Sequence, residues 1–390
     1  MPPYLSPGVF IEEQDSGARP IEAVGTSTAG FVGTAPIADF GRGEAIPVDN
    51  PAAFQRLFVG DQTKSTDLAN AVLGFFANGG SRCYIANVGA DEPINAGLDA
   101  LGLIDEIAIV AAPGRTDQGS YNALLDCCEG AKDRVAICDA PPNVDDVEQL
   151  TRPGTVDGGG DGGGKTKQKA GVRPRISDWG AIYFPWLLVP DLIGQKPGQK
   201  VAYIPAPPSG HMAGLWAQSD AKKGVHKAPA NMAIAGVGGL TKYVSRAEHD
   251  VLNPAGVNVI RMFTREGIRV WGARTLAASS SNWKYLNVRR LFAMVEESIA
   301  ISSRWAIFEP NDQPLWNHLK ASIGDFLKVL QSQGAIVDYF VKCDSETNPP
   351  EVIDLGQVVV VVGIAPVKPA EFLIIRIGQS QAGTTIETLS

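Results

Sequence analysis

The chain has 390 residues and a net charge of −8, with 44% hydrophobic and 19% charged residues. The hydrophobic fraction is enough for buried cores, which excludes a wholly disordered protein, and the negative charge argues against a nucleic-acid backbone as the main partner. No stretch approaches the ~20 apolar residues of a membrane-spanning helix, and the first ten residues lack the pattern of a secretory signal, so we expect a cytoplasmically made protein of about two domains.

The first thirty residues contain a short strand-like run that has no partner nearby in the sequence. Val9, Phe10 and Ile11 form this run, and four prolines punctuate the segment around them. A lone strand is not stable by itself, because it has no neighbour with which to share main-chain hydrogen bonds. We therefore expect this N-terminal arm to dock elsewhere.

From about residue 31 to residue 140, apolar runs alternate with segments of helical periodicity. The predicted strands are Cys83–Val88, Ile107–Ala111 and Val135–Asp139, and the predicted helices are Asp67–Ala77, Asn95–Leu103 and Ser120–Ala131. Strands separated by helices are typical of βαβ units. This region therefore predicts an α/β fold with a mostly parallel sheet.

Residues 151–175 interrupt this pattern with a glycine tract and basic residues. Six basic residues against Asp157 and Asp161 give a local charge of +4, which is typical of a flexible surface loop. Gly159–Thr166 matches the phosphate-binding pattern G-x-x-x-x-G-K-[ST], which leaves a nucleotide hydrolase as an alternative function. A working phosphate-binding loop follows a strand and precedes a helix. Neither flank has such a pattern, so we interpret the match as a product of the glycine content.

The other catalytic and metal-binding patterns are incomplete. Gly25–Ala29 resembles a nucleophile elbow but lacks its last glycine, and the four histidines have no HxH or HxxxH spacing. The five cysteines form no CxxC pair, so buried free thiols are expected. We therefore expect a protein that is not an enzyme, with no catalytic residues, metal site or cofactor.

After residue 200 the sequence predicts a second α/β region. Its predicted elements are a strand over Gly267–Leu276, helices over Tyr285–Trp305 and Asp312–Gly334, and β runs over Val358–Ile364 and Phe372–Ile377. The second helix is amphipathic, with an apolar stripe of Leu315, Leu319, Ile323, Phe326, Leu327 and Leu330. The opposite face carries Asn317, Lys320, Gly324, Lys328 and Gln331. From periodicity alone, this second face is a solvated surface.

Several blocks in sequence order closely resemble the tail sheath proteins of contractile phages and of related injection machines. The blocks are YLSPGVFIEE at residues 4–13, VGTSTAGFVGTAP at residues 24–36, Pro207–Asn231, Asn253–Phe263, Gly267–Leu276, Tyr285–Ile299, Phe308–Trp316 and Glu346–Ile377. The resemblance covers both ends and most of the chain, whereas residues 158–175 have no counterpart in the family pattern.

The resemblance implies a mixed α/β fold in which both chain ends build a discontinuous inner domain. Residues 1–30 would form the N-terminal arm and the start of the inner domain. Residues 31–199 would form an outward-facing α/β domain that carries the loop at 151–175, and residues 200–390 the rest of the inner domain with a C-terminal arm.

Proteins of this family polymerise as stacked six-fold rings around an inner tube and contract from a metastable extended state. Contraction drives the tube through a target envelope, and the sheath subunit consumes no nucleotide. The implied partners are copies of the chain, an inner tube protein, and baseplate and terminal cap proteins, without direct nucleic-acid contact or membrane insertion. The implied location is the bacterial cytoplasm during assembly and then a phage tail or a released tail-like particle. A specialised sheath paralogue at one end of the tube stays open as an alternative.

The resemblance also implies that strand arms from two neighbours complete the sheet of a third subunit. The N-terminal arm is assigned to Val9, Phe10 and Ile11, and the C-terminal arm to Thr384, Thr385, Ile386, Glu387, Thr388 and Leu389. The predicted host is a hairpin with Val358, Val360, Val362 and Ile364 on one strand and Phe372, Ile374 and Ile377 on the other. The polar face of the Asp312–Gly334 helix is assigned to the tube, where Lys320 and Lys328 would meet acidic groups.

Overall fold

The elements of the fold are those of a computed structural model that describes residues 20–90, 92–155, 170–195, 198 and 200–374. The strands are β1 (Ala29–Gly33), β2 (Ile46–Val48), β3 (Cys83–Asn87), β4 (Ile109–Ala111), β5 (Val135–Asp139), β6 (Gly180–Phe184), β7 (Leu187–Pro190), β8 (Tyr203–Ala206), β9 (Met232–Ala233), β10 (Gly239–Leu240), β11 (Val257–Phe263), β12 (Gly267–Val270), β13 (Ile336–Lys342) and β14 (Val361–Pro366). The helices are α1 (Pro51–Phe54), α2 (Asp67–Ala77), α3 (Asn95–Gly102), α4 (Gln118–Ala131), α5 (Ser209–Lys223), α6 (Arg246–Leu252), α7 (Leu286–Ser302), α8 (Gln313–Ser332) and α9 (Pro350–Asp354).

A nine-stranded sheet in the order β2-β3-β1-β4-β5-β6-β11-β12-β9 lies at the centre of the described residues. Its six middle strands, from β3 to β11, are parallel, whereas β2, β12 and β9 at the two edges run antiparallel to their neighbours. Every residue of β1, β3, β5 and β6 is buried, which explains why these strands are continuous apolar runs. The predicted mostly parallel sheet is confirmed.

Helices cover both faces of this sheet. α2 packs on α5, and α3 packs on α4. The two pairs lie on opposite faces, because Phe31 of β1 packs on Phe75 of α2 whereas a Cβ atom at the neighbouring Gly30 would meet Leu101 of α3. The side chains of Thr66 and Asp117 cap α2 and α4 by accepting main-chain hydrogen bonds of 3.2 and 2.8 Å. The six elements predicted between residues 67 and 139 are all present, with ends within two residues of the prediction.

The sheet crosses the predicted domain boundary between residues 199 and 200. β9, β11 and β12 follow that boundary in the sequence, yet they lie in the same sheet as β1–β6 because β11 pairs in parallel with β6. β1 spans the boundary predicted between residues 30 and 31 in the same way. The buried residues form separate cores, and the division between them lies further along the chain than residue 200. One core includes residues from 29 to 293, and a second forms around α8 and β13. α7 joins the two, since Leu286 belongs to the first core and Leu291 to the second.

The predicted strand Gly267–Leu276 ends early, at Val270. Beyond it, the Asn258 side chain donates to the carbonyl oxygen of Arg274 at 2.8 Å and accepts from its N–H at 2.7 Å. The N–H of Trp271 still donates to the carbonyl oxygen of Val259 at 2.8 Å, and beyond it the Asn258 side chain takes the place of the strand pairing.

The basic segment at 151–175 differs from the predicted surface loop at its C-terminal end, whereas residues 156–169 lie outside the described part. Arg173 is buried and donates to the carbonyl oxygens of Ala255 and Leu276. Arg175 donates to Glu129 at 2.8 Å and to Asp126 at 2.7 Å. Both arginines therefore tie the segment to the body of the protein.

Candidate functional site

The C-terminal part of the described chain forms a separate two-stranded antiparallel sheet of β13 and β14. One face packs on the core around α8 through Tyr339, Val341, Val362 and Ile364. Within the described residues neither strand has a second neighbour, so each presents an open edge with unpaired main-chain groups. Such edges are templates for pairing with another chain.

The opposite face of this sheet carries exposed apolar side chains beside Asp338 and Lys342. Val337, Phe340 and Val361 are 65%, 57% and 41% exposed. The Phe340 ring covers Gly363, its partner on the facing strand, where a Cβ atom would overlap the ring. Clustered apolar exposure of this kind marks interaction surfaces more often than ordinary solvent-facing ones.

The predicted host hairpin of Val358–Ile364 with Phe372–Ile377 has a different partner in the structure. β14 pairs with β13, whereas residues 372–374 are exposed and form no strand with it. Ile377 lies outside the described residues. Two prolines, Pro366 and Pro369, stiffen the connection, and Glu371 is bound elsewhere, so the described chain leaves β14 without folding back on it.

β13 is missing from the predicted elements. Its run Ile336–Val341, in which all residues but Asp338 are β-branched or aromatic, begins two residues after the glycine that ends the preceding helix. That combination is a strand signal. The strand that pairs with β14 in the described residues is therefore β13.

α8 confirms the predicted amphipathic helix. Asp312 caps it, because its side chain accepts a hydrogen bond from the N–H of Leu315 at 3.1 Å. Gly334, at φ +74°, ends it as the N–H groups of Gly334 and Ala335 donate back to Gln331 and Leu330. All six residues of the predicted apolar stripe are buried. On the opposite face Asn317, Lys320, Lys328 and Gln331 are exposed and Gly324 is half-buried.

The two predicted arms lie outside the described residues. They are Val9, Phe10 and Ile11 at one end, and Thr384, Thr385, Ile386, Glu387, Thr388 and Leu389 at the other. The segments from which they continue, at residues 20–28 and 367–374, are described and are each bound to the body through a buried arginine.

The C-terminal clamp consists of Glu371 with Arg274, Asn253 and Tyr285. Arg274 donates to both carboxylate oxygens, at 2.8 and 2.7 Å, while Asn253 donates at 2.8 Å and the Tyr285 hydroxyl at 3.3 Å. Burial raises the pKa of Glu371, but the hydrogen bonds from Arg274 and Asn253 outweigh it and hold the pKa below its usual range. The carboxylate is therefore ionised when bound.

The N-terminal clamp consists of Arg290, Asp220 and Thr26. Arg290 donates to the two Asp220 oxygens at 3.0 and 2.6 Å and to the carbonyl oxygen of Thr26 at 2.9 Å. The Thr26 hydroxyl donates to the same carboxylate at 2.6 Å. Nearby, the Ser298 hydroxyl accepts from the N–H of Val24 at 3.0 Å. Sequence reasoning missed both clamps, because their members lie far apart along the chain.

The flanks of Gly159–Thr166 do not provide a phosphate-binding loop. The match itself lies outside the described residues, and residues 152–155 and 170–175 on either side contain no strand or helix. Ser27 of the elbow-like Gly25–Ala29 leads into β1, whereas an elbow follows a strand and begins a helix.

The carboxyl ends of the parallel strands, where α/β sheets commonly bind ligands, carry the buried Asp139. Its carboxylate accepts hydrogen bonds from the N–H and hydroxyl of Ser209, both at 2.7 Å, and from the N–H of Gly114 at 3.1 Å. The protein's own groups thus occupy this position and join β5 to the start of α5.

The cysteines agree with the prediction of buried thiols. Cys83, Cys128, Cys138 and Cys343 are buried and Cys127 is half-buried. Burial raises the pKa of each of these thiols, which disfavours the reactive thiolate. No helix in the described ranges combines the length and the apolar character needed to cross a membrane.

Two family models match the chain. Residues 88–276 match the phage tail sheath protein central domain, and residues 278–380 match the phage tail sheath C-terminal domain. The junction between the two models lies just before α7, the helix that joins the two cores.

Solved structures match over nearly the whole chain. The PVC sheath complex of an extracellular contractile injection system, in its contracted state, is 30% identical with a TM-score of 0.77, and the match covers 97% of this chain and 99% of that one. A chain in the baseplate structure of the anti-feeding prophage is 28% identical with a TM-score of 0.73, covering 97% of this chain and 100% of that one.

Curated relatives match over a shorter region. The tail sheath protein of Vibrio phage KVP40 is 31% identical over 170 residues, which is 43% of this chain and 25% of that protein. This chain matches less than half the length of each of the seven curated sheath relatives compared, from 25% to 44%.

Proposed function

Because the chain belongs to the contractile tail sheath family, we propose that it is a structural sheath subunit that polymerises around an inner tube and contracts to drive that tube through a target envelope. The likeness to the PVC sheath complex in its contracted state, over 97% of this chain, carries the proposal. A match of that extent includes both the nine-stranded sheet and the β13–β14 unit. The function is mechanical, so the subunit needs no catalytic residue.

Polymerisation proceeds by strand exchange onto the β13–β14 sheet. The sheet offers two open edges in the described structure, and the chain offers two arms, at Val9–Ile11 and at Thr384–Leu389. Added strands gain main-chain hydrogen bonds and remove the exposed edges. Because each copy gives arms to other copies and receives arms from them, the contacts are head-to-tail and extend into a filament.

The exposed face of α8 binds the inner tube. Its two lysines, Lys320 and Lys328, are exposed on the side opposite the buried stripe. They would attract acidic groups on the tube with the low strength typical of surface charge pairs, so that contraction can release them.

The same proposal extends to the assembled particle. Six-fold rings of the subunit stack from a baseplate to a terminal cap, in an extended state that stores the energy of contraction. The likeness to a chain of the anti-feeding prophage baseplate structure supports a contact between the lowest ring and a baseplate. Assembly takes place in the bacterial cytoplasm, and the finished sheath belongs to a phage tail or a tail-like particle.

Removal of the N-terminal arm tests strand exchange. The full chain should form striated tubes or contracted sleeves in negative-stain electron microscopy, whereas a chain that lacks residues 1–15 should stay folded but unpolymerised. Circular dichroism and thermal unfolding check that the truncated subunit is folded.

The matched control removes residues 156–169, a deletion of similar size in the segment without a counterpart in the family pattern. This variant should still polymerise. The proposal is contradicted if the full chain stays monomeric at high concentration, or if the chain without residues 1–15 forms normal tubes.

A further inference from the structure

Helix α7 binds the chain on the C-terminal side of the body through its first turn. Tyr285, the residue that precedes the helix, donates its hydroxyl to Glu371 at 3.3 Å. Asn287 donates to the carbonyl oxygen of Val367 at 3.3 Å. The start of α7 therefore holds the segment that follows β14, upstream of the C-terminal arm.

The same helix binds the segment on the N-terminal side. Arg290 donates to the carbonyl oxygen of Thr26, and Ser298 accepts from the N–H of Val24. Tyr285 and Ser298 are separated by about 20 Å along the helix. The segments at residues 24–26 and 367–371 are thus attached to one helix at two separate points.

The two attachments are strong because their ion pairs are shielded from water. The side chains of Arg274 and Glu371 are 9% and 21% exposed, and those of Arg290 and Asp220 are 3% and 6% exposed. Each arginine binds both oxygens of its carboxylate, which fixes direction as well as distance. Removal of one partner leaves a buried charge without compensation, so these contacts do not open easily.

We propose that α7 and the two clamps fix the points from which both exchanged arms leave the body, so that the connection from one neighbour to the next runs through α7. This inference rests on the proposed strand exchange. The segment held by the N-terminal clamp leads directly into β1, so this clamp also ties the connection to the nine-stranded sheet.

A fixed attachment point also favours the exchange itself. A strand that leaves the body at a defined place is held near its target at a high effective concentration, whereas a longer free tether lowers that concentration. Release of Glu371 would add the residues from 368 onward to the C-terminal tether, since Asn287 still holds Val367. Ordering them again on binding would cost conformational entropy.

The test uses the full chain with Glu371→Gln in the C-terminal clamp or Asp220→Asn in the N-terminal clamp. Sedimentation measures the critical concentration for polymerisation, which should rise about tenfold in each variant. Chymotrypsin cleavage after Phe372, followed by mass spectrometry, should become about tenfold faster in Glu371→Gln and stay unchanged in Asp220→Asn. Should either variant fail to fold, Tyr285→Phe and Thr26→Val each remove a single hydrogen bond and should give about threefold shifts.

Leu124→Ala is the matched control for a simple loss of stability. Leu124 is buried in the first core, on α4, away from both clamps. This variant should lower the melting temperature and leave the critical concentration unchanged. The inference is overturned if Leu124→Ala raises the critical concentration as much as the clamp variants do, or if the clamp variants polymerise like the wild type.

Deletion of residues 1–15 or 378–390 separates this inference from the proposed function. If neither deletion affects polymerisation, strand exchange is wrong and the inference falls with it. If the deletions abolish polymerisation while Glu371→Gln and Asp220→Asn polymerise normally, only the role of α7 and the clamps is wrong. If the deletions abolish polymerisation and the clamp variants show the tenfold shifts, both strand exchange and the role of α7 and the clamps are supported.

Discussion

The buried carboxyl group of Asp139 should make the free energy of unfolding fall as pH rises from about 4 to about 7. Burial raises its pKa to about 7, although hydrogen bonds from Ser209 and Gly114 oppose the shift, whereas an aspartate in an unfolded chain has a pKa of about 3.9. Between these values the folded chain binds a proton that the unfolded chain lacks, so stability declines by at most about 1.4 kcal/mol per pH unit. Asp139→Asn removes this contribution.

Urea unfolding of the wild type and of Asp139→Asn at about pH 4.5, 6, 7.5 and 8.5 measures the effect. The free energy of unfolding of the wild type relative to the variant should fall up to about pH 7 and stay constant above it. The exposed Asp61→Asn controls for the loss of one charge and should give a curve parallel to the wild type. If the curve of Asp139→Asn also ran parallel to that of the wild type, it would contradict the expected titration of Asp139.

Single residues show where sequence reasoning stops. The buried thiols follow from composition and are found, because a cysteine needs no specific partner to be buried. Arg173 is expected in a surface loop but is buried, and Glu371 finds Arg274 across 97 residues of sequence. Partners at such distances are set by the fold, and no local pattern records them.

Helices α2 and α5 approach each other through glycines, so a single methyl group should disturb their packing. A Cβ atom at Gly210 would overlap the carbonyl oxygen of Ala71, and one at Gly214 would overlap that of Phe75. Because backbone atoms cannot move aside cheaply, Gly210→Ala should lower the free energy of unfolding by about 1–3 kcal/mol. Chemical denaturation of the unpolymerised subunit measures this change.

Gly324→Ala in α8 is the matched substitution. No atom lies within 4 Å of a Cβ atom placed there, and the residue is inside a helix, so alanine should stabilise the subunit by about 0.5–1 kcal/mol. A similar change in both variants would show that helix propensity, and not the contact between α2 and α5, decides the effect.

Elements with strong periodicity were predictable, whereas strand pairing was not. α8 and its capping residue Asp312 follow from spacing alone, because helix formation depends on neighbours three and four residues away. β14 is recognisable as a strand, but its partner is β13 and not the following run at 372–377. Pairing depends on competition among distant segments and on the binding of Glu371 by Arg274. Neither can be read from the local sequence.

The whole molecule was recognised from blocks of sequence at both ends, whereas the domain boundary between residues 199 and 200 stays a prediction. Resemblance places residues 200–390 together, whereas the nine-stranded sheet takes in strands up to Val270 and the family models divide between residues 276 and 278. The boundary between the family models therefore lies close to the boundary between the two buried cores, which share α7. The low fraction of charged residues agrees with a subunit that covers much of its surface with other copies.

Reversal of both charges on the exposed face of α8 should separate the sheath from its tube. Lys320 and Lys328 are exposed and lie about 12 Å apart along the helix, so Lys320→Glu with Lys328→Glu should leave the fold intact. In the proposed contact, the change would turn attraction to acidic groups of the tube into repulsion at two points, each weak by itself and screened by salt. Co-expression with the tube protein of the same particle should then give empty or misassembled sheaths in electron micrographs.

The control variant is Arg56→Glu with Lys64→Glu, two exposed positions between β2 and α2. It changes the net charge by the same amount as the α8 variant, so a difference between the two variants reports on a local contact and not on the overall charge. This control should give tube-filled sheaths, because the contact depends on where the charges lie and not on their sum. Tube-filled sheaths in the α8 variant would show that another surface faces the tube. Empty sheaths in the control variant alone would indicate that the surface around Arg56 and Lys64 faces the tube.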